Sequence, residues 1–134
     1  MLIPLRAESH PNLNFTIVIN PCNGPCANGI PEKPYTVEVP KLKTYHNVRT
    51  LGYVATNYTN KPVEKVLEEI KVWANWTHAN NNTLMGVDGV FFDEVPGGYD
   101  WEQADYLKQA TNEVKGAEGL GQRSVGMLTI LDCT

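Results

Sequence analysis

Three apolar runs, each ending in a loop of polar and turn-forming residues, constrain most strongly what this chain can fold into. The runs lie at Phe15–Ile19, at residues 48–54 and within residues 85–98, and two of them are followed by Asn20-Pro21 and Pro96-Gly97-Gly98. Strands of a parallel sheet that are covered on both faces have this near-continuous apolar character. Each run therefore predicts a buried parallel strand that ends in a loop.

Segments with helical periodicity alternate with these runs. One opens near Asn60 and has Pro62 in its first turn. Its apolar residues follow the spacing i, i+3, i+4, i+7, i+10, i+11 of one helical face: Val63, Val66, Leu67, Ile70, Trp73 and Ala74. A second helix is predicted over residues 101–114, with Ala104, Leu107, Ala110 and Val114 on one face. Trp73 and Trp76 are expected in the core.

The connection between the first two runs is ambiguous. Residues 35–45 alternate like a strand around Val37 and Val39, and they contain Pro40. We favour a helix kinked at Pro40, because adjacent parallel strands need a crossover. The strand and helix series predicts the α/β class with a parallel sheet, for which residues 123–131 offer a fourth strand.

Composition excludes two classes of partner. The 134 residues carry a net charge of −4 and are 42% hydrophobic, which fits one globular core. The sequence has no run of about 18 apolar residues for a membrane helix, and no clustered Lys/Arg face for nucleic acid. We therefore expect neither membrane nor nucleic acid as a partner. We also expect no cofactor, and no metal site, because tetrahedral sites take four ligands and His10, His46 and His78 lie in unrelated segments.

Cysteines and sequons bear on the compartment. Cys22, Cys26 and Cys133 are an odd number, which argues against a disulfide framework. Cys22 and Cys26 can form a local disulfide, remain free thiols or act as metal ligands. The sequence has 13 Asn and 13 Ser plus Thr, which give roughly one N-x-S/T sequon by chance. Four are present, at Asn14, Asn57, Asn75 and Asn81. The excess favours a secreted protein, although no signal peptide is visible.

The adjacent carboxylates Asp93 and Glu94 come directly after the third run. Successive strand residues point to opposite faces, so the two side chains cannot share a face while the strand stays regular. Burying one of them unpaired under a helix costs several kcal/mol. The pair is therefore expected at the end of the strand, on the carboxyl edge where parallel α/β proteins build their sites.

Other polar and aromatic residues are predicted to share this rim, by which we mean the carboxyl edge of the sheet and the loops that follow its strands. Converging polar groups at one edge indicate a site. The candidates for substrate binding are Asn20, Tyr53, Thr56, Tyr58 and Trp101. Asp88, at the entry of its strand, is predicted to stabilise the opposite edge. The dipeptide alone does not decide between a glycosidase, a metal site and a phosphoryl-transfer site.

Four blocks of the sequence carry a resemblance to a known family. They are "HPNLNFTIVINPCNGP", "NVRTLGYVATNY", "KPVEKVLEEIKVWANW" and "GVDGVFFDEVP", in this order. The chain resembles the spherulin-4-like family, also called spherulation-specific family 4, over about residues 10–124. The resemblance implies a (β/α)8 barrel in a secreted, mostly fungal glycoside hydrolase that cuts α-1,4-linked galactosamine-containing polysaccharide. It also implies that Asp93 and Glu94 belong to the catalytic centre.

The chain departs from the family in its length. A (β/α)8 barrel takes about 250 residues, so we expect one partial barrel domain of three or four parallel strands over residues 1–134, with a divergent tail at 125–134. The family's further catalytic Glu lies on a later strand, so the site is expected to be incomplete. We expect a truncated or mis-spliced sequence, whose exposed sheet edges favour self-association.

Two alternatives stay open beside the glycoside hydrolase. A non-catalytic wall or spore-coat protein could keep the sugar-binding cleft without cleaving the polymer. An unrelated small doubly wound domain could use Asp93 and Glu94 for Mg²⁺ and phosphate. The second alternative ranks last because the sequence has no glycine-rich phosphate loop between a strand and a helix.

Overall fold

The computed structural model describes residues 3–98, 100–120 and 128–129. Its strands are β1 (Phe15–Ile19), β2 (Val48–Ala55), β3 (Gly89–Asp93) and β4 (Leu128–Thr129). Its α-helices are α1 (Ile3–Ser9), α2 (Tyr35–Lys43), α3 (Val63–Asn75) and α4 (Trp101–Gly116), and two short 3-10 helices, Trp76–Asn81 and Thr83–Met85, lie between α3 and β3. The predicted fourth strand is present at Leu128–Thr129, and the rest of residues 123–131 lies outside the described residues.

The strands form one parallel sheet in chain order, β1-β2-β3-β4. The register pairs Ala55 with Asp93, so β2 and β3 end level with each other at one edge, whereas β1 ends at Ile19, opposite Gly52. Within the described residues the sheet is open. Parallel strands in chain order with crossover helices are βα units of a partial (β/α)8 barrel, which confirms the predicted fold class.

The helices follow the predicted pattern with small shifts at their ends. Pro62 directly precedes α3 instead of lying inside it, and Pro40 lies within α2. Asp100 caps α4 through its side chain, which accepts from the Gln103 N–H at 2.9 Å. The Gln103 side chain in turn accepts from the Asp100 N–H, which completes a capping box that anchors the start of α4 beside the carboxyl edge.

The main hydrophobic core lies between the sheet and helices α3 and α4. Trp73 and Trp76 are almost fully buried there, with ring centroids 4.5 Å apart, as expected from the sequence. Trp73 lies directly on Gly52 of β2, where an added Cβ would be 2.3 Å from its ring. Its indole N–H donates to the Tyr53 carbonyl at 3.0 Å. The absence of a side chain at Gly52 thus lets α3 approach β2 closely.

Strand β1 differs from the prediction of burial on both faces. β2 is buried along nearly its whole length, but Val18 of β1 is 39% exposed and Thr16 is also exposed. Phe15 and Ile17, on the other face, pack against a small cluster that contains Leu42. Because β1 lies at the end of the strand order, it has a neighbour on only one side, and the prediction is wrong for this strand.

Asp88 stabilises the amino edge of the sheet, as predicted. Its carboxylate forms an ion pair with Lys43 of α2 and accepts from the Thr50 N–H at 2.9 Å. The Asp88 N–H donates to the Thr50 carbonyl at 2.8 Å. Asp88 therefore joins α2, β2 and the start of β3 on the edge opposite to Asp93.

None of the helices within the described residues has the length and apolar character that a membrane crossing requires.

Candidate active site

The chain leaves strand geometry between the two predicted catalytic residues. Asp93 is the last residue of β3, and Glu94 adopts a left-handed conformation with φ of 55°. A non-glycine residue in this region costs of order 1–3 kcal/mol and is held there only when its surroundings determine it. The turn ends the alternation of side chains, so the two carboxylates are not forced onto opposite faces of the sheet.

The Asp93 carboxylate is held by hydrogen bonds to both of its oxygens. The Tyr53 hydroxyl donates to Oδ2 at 2.6 Å, and the Glu94 N–H donates to Oδ1 at 2.8 Å. Tyr53 pairs in register with Phe91, and the two rings stack with centroids 6.1 Å apart. Asp93 is two residues beyond Phe91 and shares its face, so Tyr53 reaches it diagonally. This arrangement fixes the orientation of the carboxylate.

Both carboxylates affect the pKa of the Tyr53 hydroxyl. Burial, the hydrogen bond to Asp93 and the negative charges of Asp93 and Glu94 together raise the pKa of Tyr53 well above its usual range. The charges of both carboxylates therefore act on one phenol, to which Asp93 is directly hydrogen-bonded. Tyr53 remains protonated at neutral pH and acts as a hydrogen-bond donor toward Asp93.

An alkaline titration tests this arrangement. Tyr53 has a raised pKa in the folded chain, so above pH 10 the folded state binds a proton that the unfolded state has lost. The resulting stability is complete below pH 10 and decreases above it, with a slope of about 1.4 kcal/mol per pH unit for one proton. We expect Tyr53→Phe to reduce the slope of unfolding free energy against pH by about this amount, measured by urea unfolding above pH 10.

The matched comparison in that experiment is Asp93→Asn, which keeps the phenol and removes the charge. Ultraviolet titration of phenolate absorbance is expected to show one tyrosine ionising at lower pH in this variant than in the unmodified chain. Unchanged absorbance titration in Asp93→Asn, together with an unchanged slope in Tyr53→Phe, would contradict the hydrogen bond between the two residues.

The loop after β2 is joined to the loop after β3 by main-chain hydrogen bonds. Thr56 N–H donates to the Asp93 carbonyl at 3.0 Å, and Tyr58 N–H donates to the Glu94 carbonyl at 2.6 Å. Three consecutive residues, Asn57, Tyr58 and Thr59, have positive φ. Strained, non-glycine backbone of this kind is concentrated at functional sites. The loop geometry thus supports a functional assignment for this edge.

Thr56 and Tyr58 occupy different positions in this loop. Thr56 is fully buried, and its hydroxyl donates to the Glu94 carbonyl at 2.7 Å. This contact favours a supporting role beneath Glu94 over the predicted direct contact with substrate. The Tyr58 side chain is 54% exposed and can contact a ligand at the rim.

The loop after β1 is closed by a disulfide between Cys22 and Cys26, whose Cα atoms are 5.1 Å apart. Of the three states left open by the sequence, the structure has the disulfide. The Asn20 side chain accepts from the Gly24 N–H at 2.8 Å, and Gly24 has φ of 136°, which favours glycine. Asn20 is exposed at the rim, but its side-chain oxygen also stabilises this loop.

A partly buried polar cluster beneath the rim was not predicted from the sequence. Lys61 pairs with Glu69 of α3 at 2.6 Å, and the Tyr106 hydroxyl of α4 donates to the Lys61 carbonyl at 2.6 Å. The Glu69 carboxylate also lies beside Gly24: a Cβ added to Gly24 would be 3.5 Å from the nearer Glu69 oxygen. Burial and the charges of Glu69 and Glu64 raise the pKa of Tyr106 to about 12. The cluster ties the loops after β1 and β2 to helices α3 and α4.

The structure thus brings Tyr53, Thr56 and Tyr58 into contact with Asp93 or Glu94. Asn20 and Trp101 lie at the same edge, and no hydrogen bond within the described residues joins either side chain to the carboxylates. Trp101 begins α4 and is 76% exposed. Phe91, which stacks on Tyr53, was missed, although its position two residues before Asp93 places it on the same face. In the described part of the chain, no group of three or more His, Cys, Asp or Glu side chains could hold a metal ion.

A parallel sheet in chain order, with paired carboxylates and polar loops at its carboxyl edge, defines a partial (β/α)8 barrel with a candidate active site at its strand ends. Comparison with family models then gives the family. The model of Spherulation-specific family 4 matches residues 4–129, and the chain belongs to this family. The resemblance inferred from the four sequence blocks is confirmed.

A solved structure is similar to most of the chain. It is the crystal structure of Aspergillus clavatus Sph3 in complex with GalNAc, which is 44% identical in sequence and superposes with a TM-score of 0.85. The match covers 90% of this chain and 48% of the Sph3 chain, so this chain spans about half the length of that relative. A comparison with curated proteins finds no match.

Proposed function

We propose that the chain is a glycoside hydrolase of Spherulation-specific family 4, or part of one, that acts on a galactosamine-containing polysaccharide. Asp93 and Glu94 are assigned to its reaction centre. The observation that carries the proposal is the pair of rim carboxylates, in which Asp93 accepts from the Tyr53 hydroxyl and the Glu94 N–H while Glu94 is held in a left-handed turn. The GalNAc complex of the 44% identical Sph3 supports an amino sugar as the ligand class.

The chemistry of glycosidic cleavage fits these groups. The reaction needs one carboxylic acid to protonate the leaving oxygen and one carboxylate to act as nucleophile or base. Asp93, oriented by the Tyr53 hydroxyl and the Glu94 N–H, is assigned the role of the carboxylate that stabilises positive charge at the sugar. The Glu94 side chain has no hydrogen bond among the described residues, and it is assigned the role of proton donor.

The aromatic and polar residues around the pair are assigned to substrate binding. Tyr58 and Trp101 expose their rings at the same edge, where a sugar face can stack on them. Asn20 is exposed at the end of β1 and offers its amide nitrogen as a donor. Tyr53 contributes mainly through Asp93, and Thr56 through the main chain of Glu94.

The size of the chain bears on its assembly. We infer that residues 1–134 form one partial barrel domain and belong to a longer secreted protein, because the match covers only 48% of the Sph3 chain. β1, at the end of the strand order, has Val18 39% exposed, which favours association of this edge with further strands or a second copy. The four sequons support secretion.

The proposal predicts that the longer protein to which this partial barrel is assigned releases reducing ends from an α-1,4-linked galactosamine polymer, and that the 134-residue chain binds the polymer. A matched α-1,4-glucan, which lacks the amino group, is expected to be neither bound nor cleaved. Binding is measured by affinity electrophoresis and cleavage by a reducing-end assay. Absence of both binding and cleavage with the galactosamine polymer would overturn the proposed function.

A second function is favoured by one observation. The two carboxylates assigned to the reaction come from adjacent residues, and one of them has both oxygens engaged. A protein with this rim could bind the polymer without cleaving it, as a wall or spore-coat protein would. This function predicts binding of the galactosamine polymer without release of reducing ends.

A further inference from the structure

The four sequon asparagines share two structural properties. All four are exposed. None of their side-chain amides forms a hydrogen bond within the described residues, whereas several asparagines outside sequons bond the main chain: Asn20, Asn28, Asn47 and Asn82. The sequon amides are therefore accessible, and the fold does not depend on their hydrogen bonds.

The topology divides these four asparagines between the two edges of the sheet. Asn14 immediately precedes β1, so it lies at the amino edge. Asn75 ends α3, which returns the chain from the end of β2 to the start of β3, and Asn81 lies in the connection that follows. These three residues therefore lie at or near the amino edge, opposite to the candidate active site.

Asn57 alone lies at the rim. It follows β2 by two residues, and its neighbour Tyr58 donates its N–H to the Glu94 carbonyl at 2.6 Å. An oligosaccharide attached to Asn57 would extend from the loop that contacts the catalytic pair. It would occupy the space through which a polysaccharide must approach Asp93.

We propose that Asn14, Asn75 and Asn81 are N-glycosylation sites that keep the carbohydrate on the amino edge, and that a glycan on Asn57 excludes the polysaccharide from the rim. The exposure of all four amides and their division between the edges carry this inference. It rests on the secreted location that forms part of the proposed function.

The modification has a defined chemical balance. The Asn side-chain nitrogen forms a bond to the anomeric carbon of an oligosaccharide carried on a polyprenyl pyrophosphate. The bond between that carbon and the pyrophosphate breaks, the lipid pyrophosphate leaves, and the amide loses one proton. The Thr two residues after each Asn completes the acceptor motif.

The test is secretion of the 134-residue chain, with an added leader, from a eukaryotic host. Enzymatic deglycosylation in ¹⁸O water converts each occupied Asn to labelled Asp, which peptide mass spectrometry locates. We expect label at Asn14, Asn75 and Asn81. No label at these three residues, with label on a control glycoprotein from the same cells, would overturn the proposal whether or not the chain cleaves polysaccharide.

The second part compares Asn57→Gln with Asn75→Gln, which removes an acceptor from the opposite edge. If any secreted molecules carry a glycan on Asn57, we expect those molecules to bind the galactosamine polymer at least tenfold more weakly than Asn57→Gln. Asn75→Gln should leave binding unchanged. A chain without a glycan on Asn57 agrees with the proposal that the carbohydrate stays on the amino edge. Equal binding by the Asn57-glycosylated molecules and by Asn57→Gln would overturn the proposal that a glycan on Asn57 excludes the polysaccharide.

Discussion

Asp93→Asn and Glu94→Gln are each expected to lower the rate of glycosidic cleavage by about 10²- to 10⁴-fold, the range in which positioned acid and base groups contribute. Asn at residue 93 keeps the shape that accepts the Tyr53 hydrogen bond but removes the negative charge that would stabilise a developing oxocarbenium ion. Gln at residue 94 cannot donate a proton to the leaving oxygen. Release of reducing ends from the galactosamine polymer measures both effects.

The control variants remove the same charges elsewhere. Asp105→Asn and Glu118→Gln change exposed residues, and neither residue contacts the carboxylate pair in the described structure. Both should cleave at the rate of the unmodified chain. Cleavage that survives in Asp93→Asn and Glu94→Gln would exclude these residues from the reaction centre. Polymer binding that survives in both variants of a chain without any cleavage would instead favour the non-catalytic function.

Gly52→Ala is expected to destabilise the fold by about 3 kcal/mol or more, at or above the upper end of the usual cost of overpacking. The added Cβ would lie 2.3 Å from the Trp73 ring, which is fully buried and hydrogen-bonded to the Tyr53 carbonyl. Trp73 cannot move away without breaking that bond and opening the core around Trp76. Urea unfolding followed by tryptophan fluorescence measures the change.

Gly98→Ala is the matched control, because a Cβ at Gly98 would meet no atom within 4 Å. We expect its free energy of unfolding to stay within about 0.5 kcal/mol of the unmodified chain. Similar stability of Gly52→Ala and Gly98→Ala would show that α3 does not pack on β2 as described. The Trp73 indole N–H also donates to the carbonyl of Tyr53, whose hydroxyl orients Asp93. A destabilised Gly52→Ala chain should therefore bind the galactosamine polymer less tightly.

The order of strands and helices could be predicted from the sequence, because the strands are near-continuous apolar runs and the apolar residues of α3 and α4 follow the helical period of 3.6. Trp73 fits the helical face of α3 and was correctly placed in the core. The open face of β1 was not predictable, since Val18 belongs to an apolar run whether or not another layer covers it. Its exposure depends on the position of β1 at the end of the strand order.

At the site, too, some features could be predicted from the local sequence, and others depend on tertiary contacts. Asp93 and Glu94 were placed at the rim because charge is costly inside a parallel sheet. The left-handed conformation of Glu94 has no local signal, because glutamate does not favour it. It depends on the Tyr58 N–H and the Thr56 hydroxyl, which both bond the Glu94 carbonyl from another loop. The bond from Tyr53 to Asp93 likewise depends on the strand register.

The main-chain bonds between the two rim loops have an evolutionary consequence. The position of Glu94 depends on the Tyr58 main-chain N–H, a donor that every residue except proline supplies at that position. Asn57 and Thr59 can therefore be replaced by other residues without moving the carboxylates, provided that the new residues tolerate positive φ. If the proposed function holds, natural variation in this loop can alter the recognised polymer while Asp93 and Glu94 stay in place, so that specificity can change separately from catalysis.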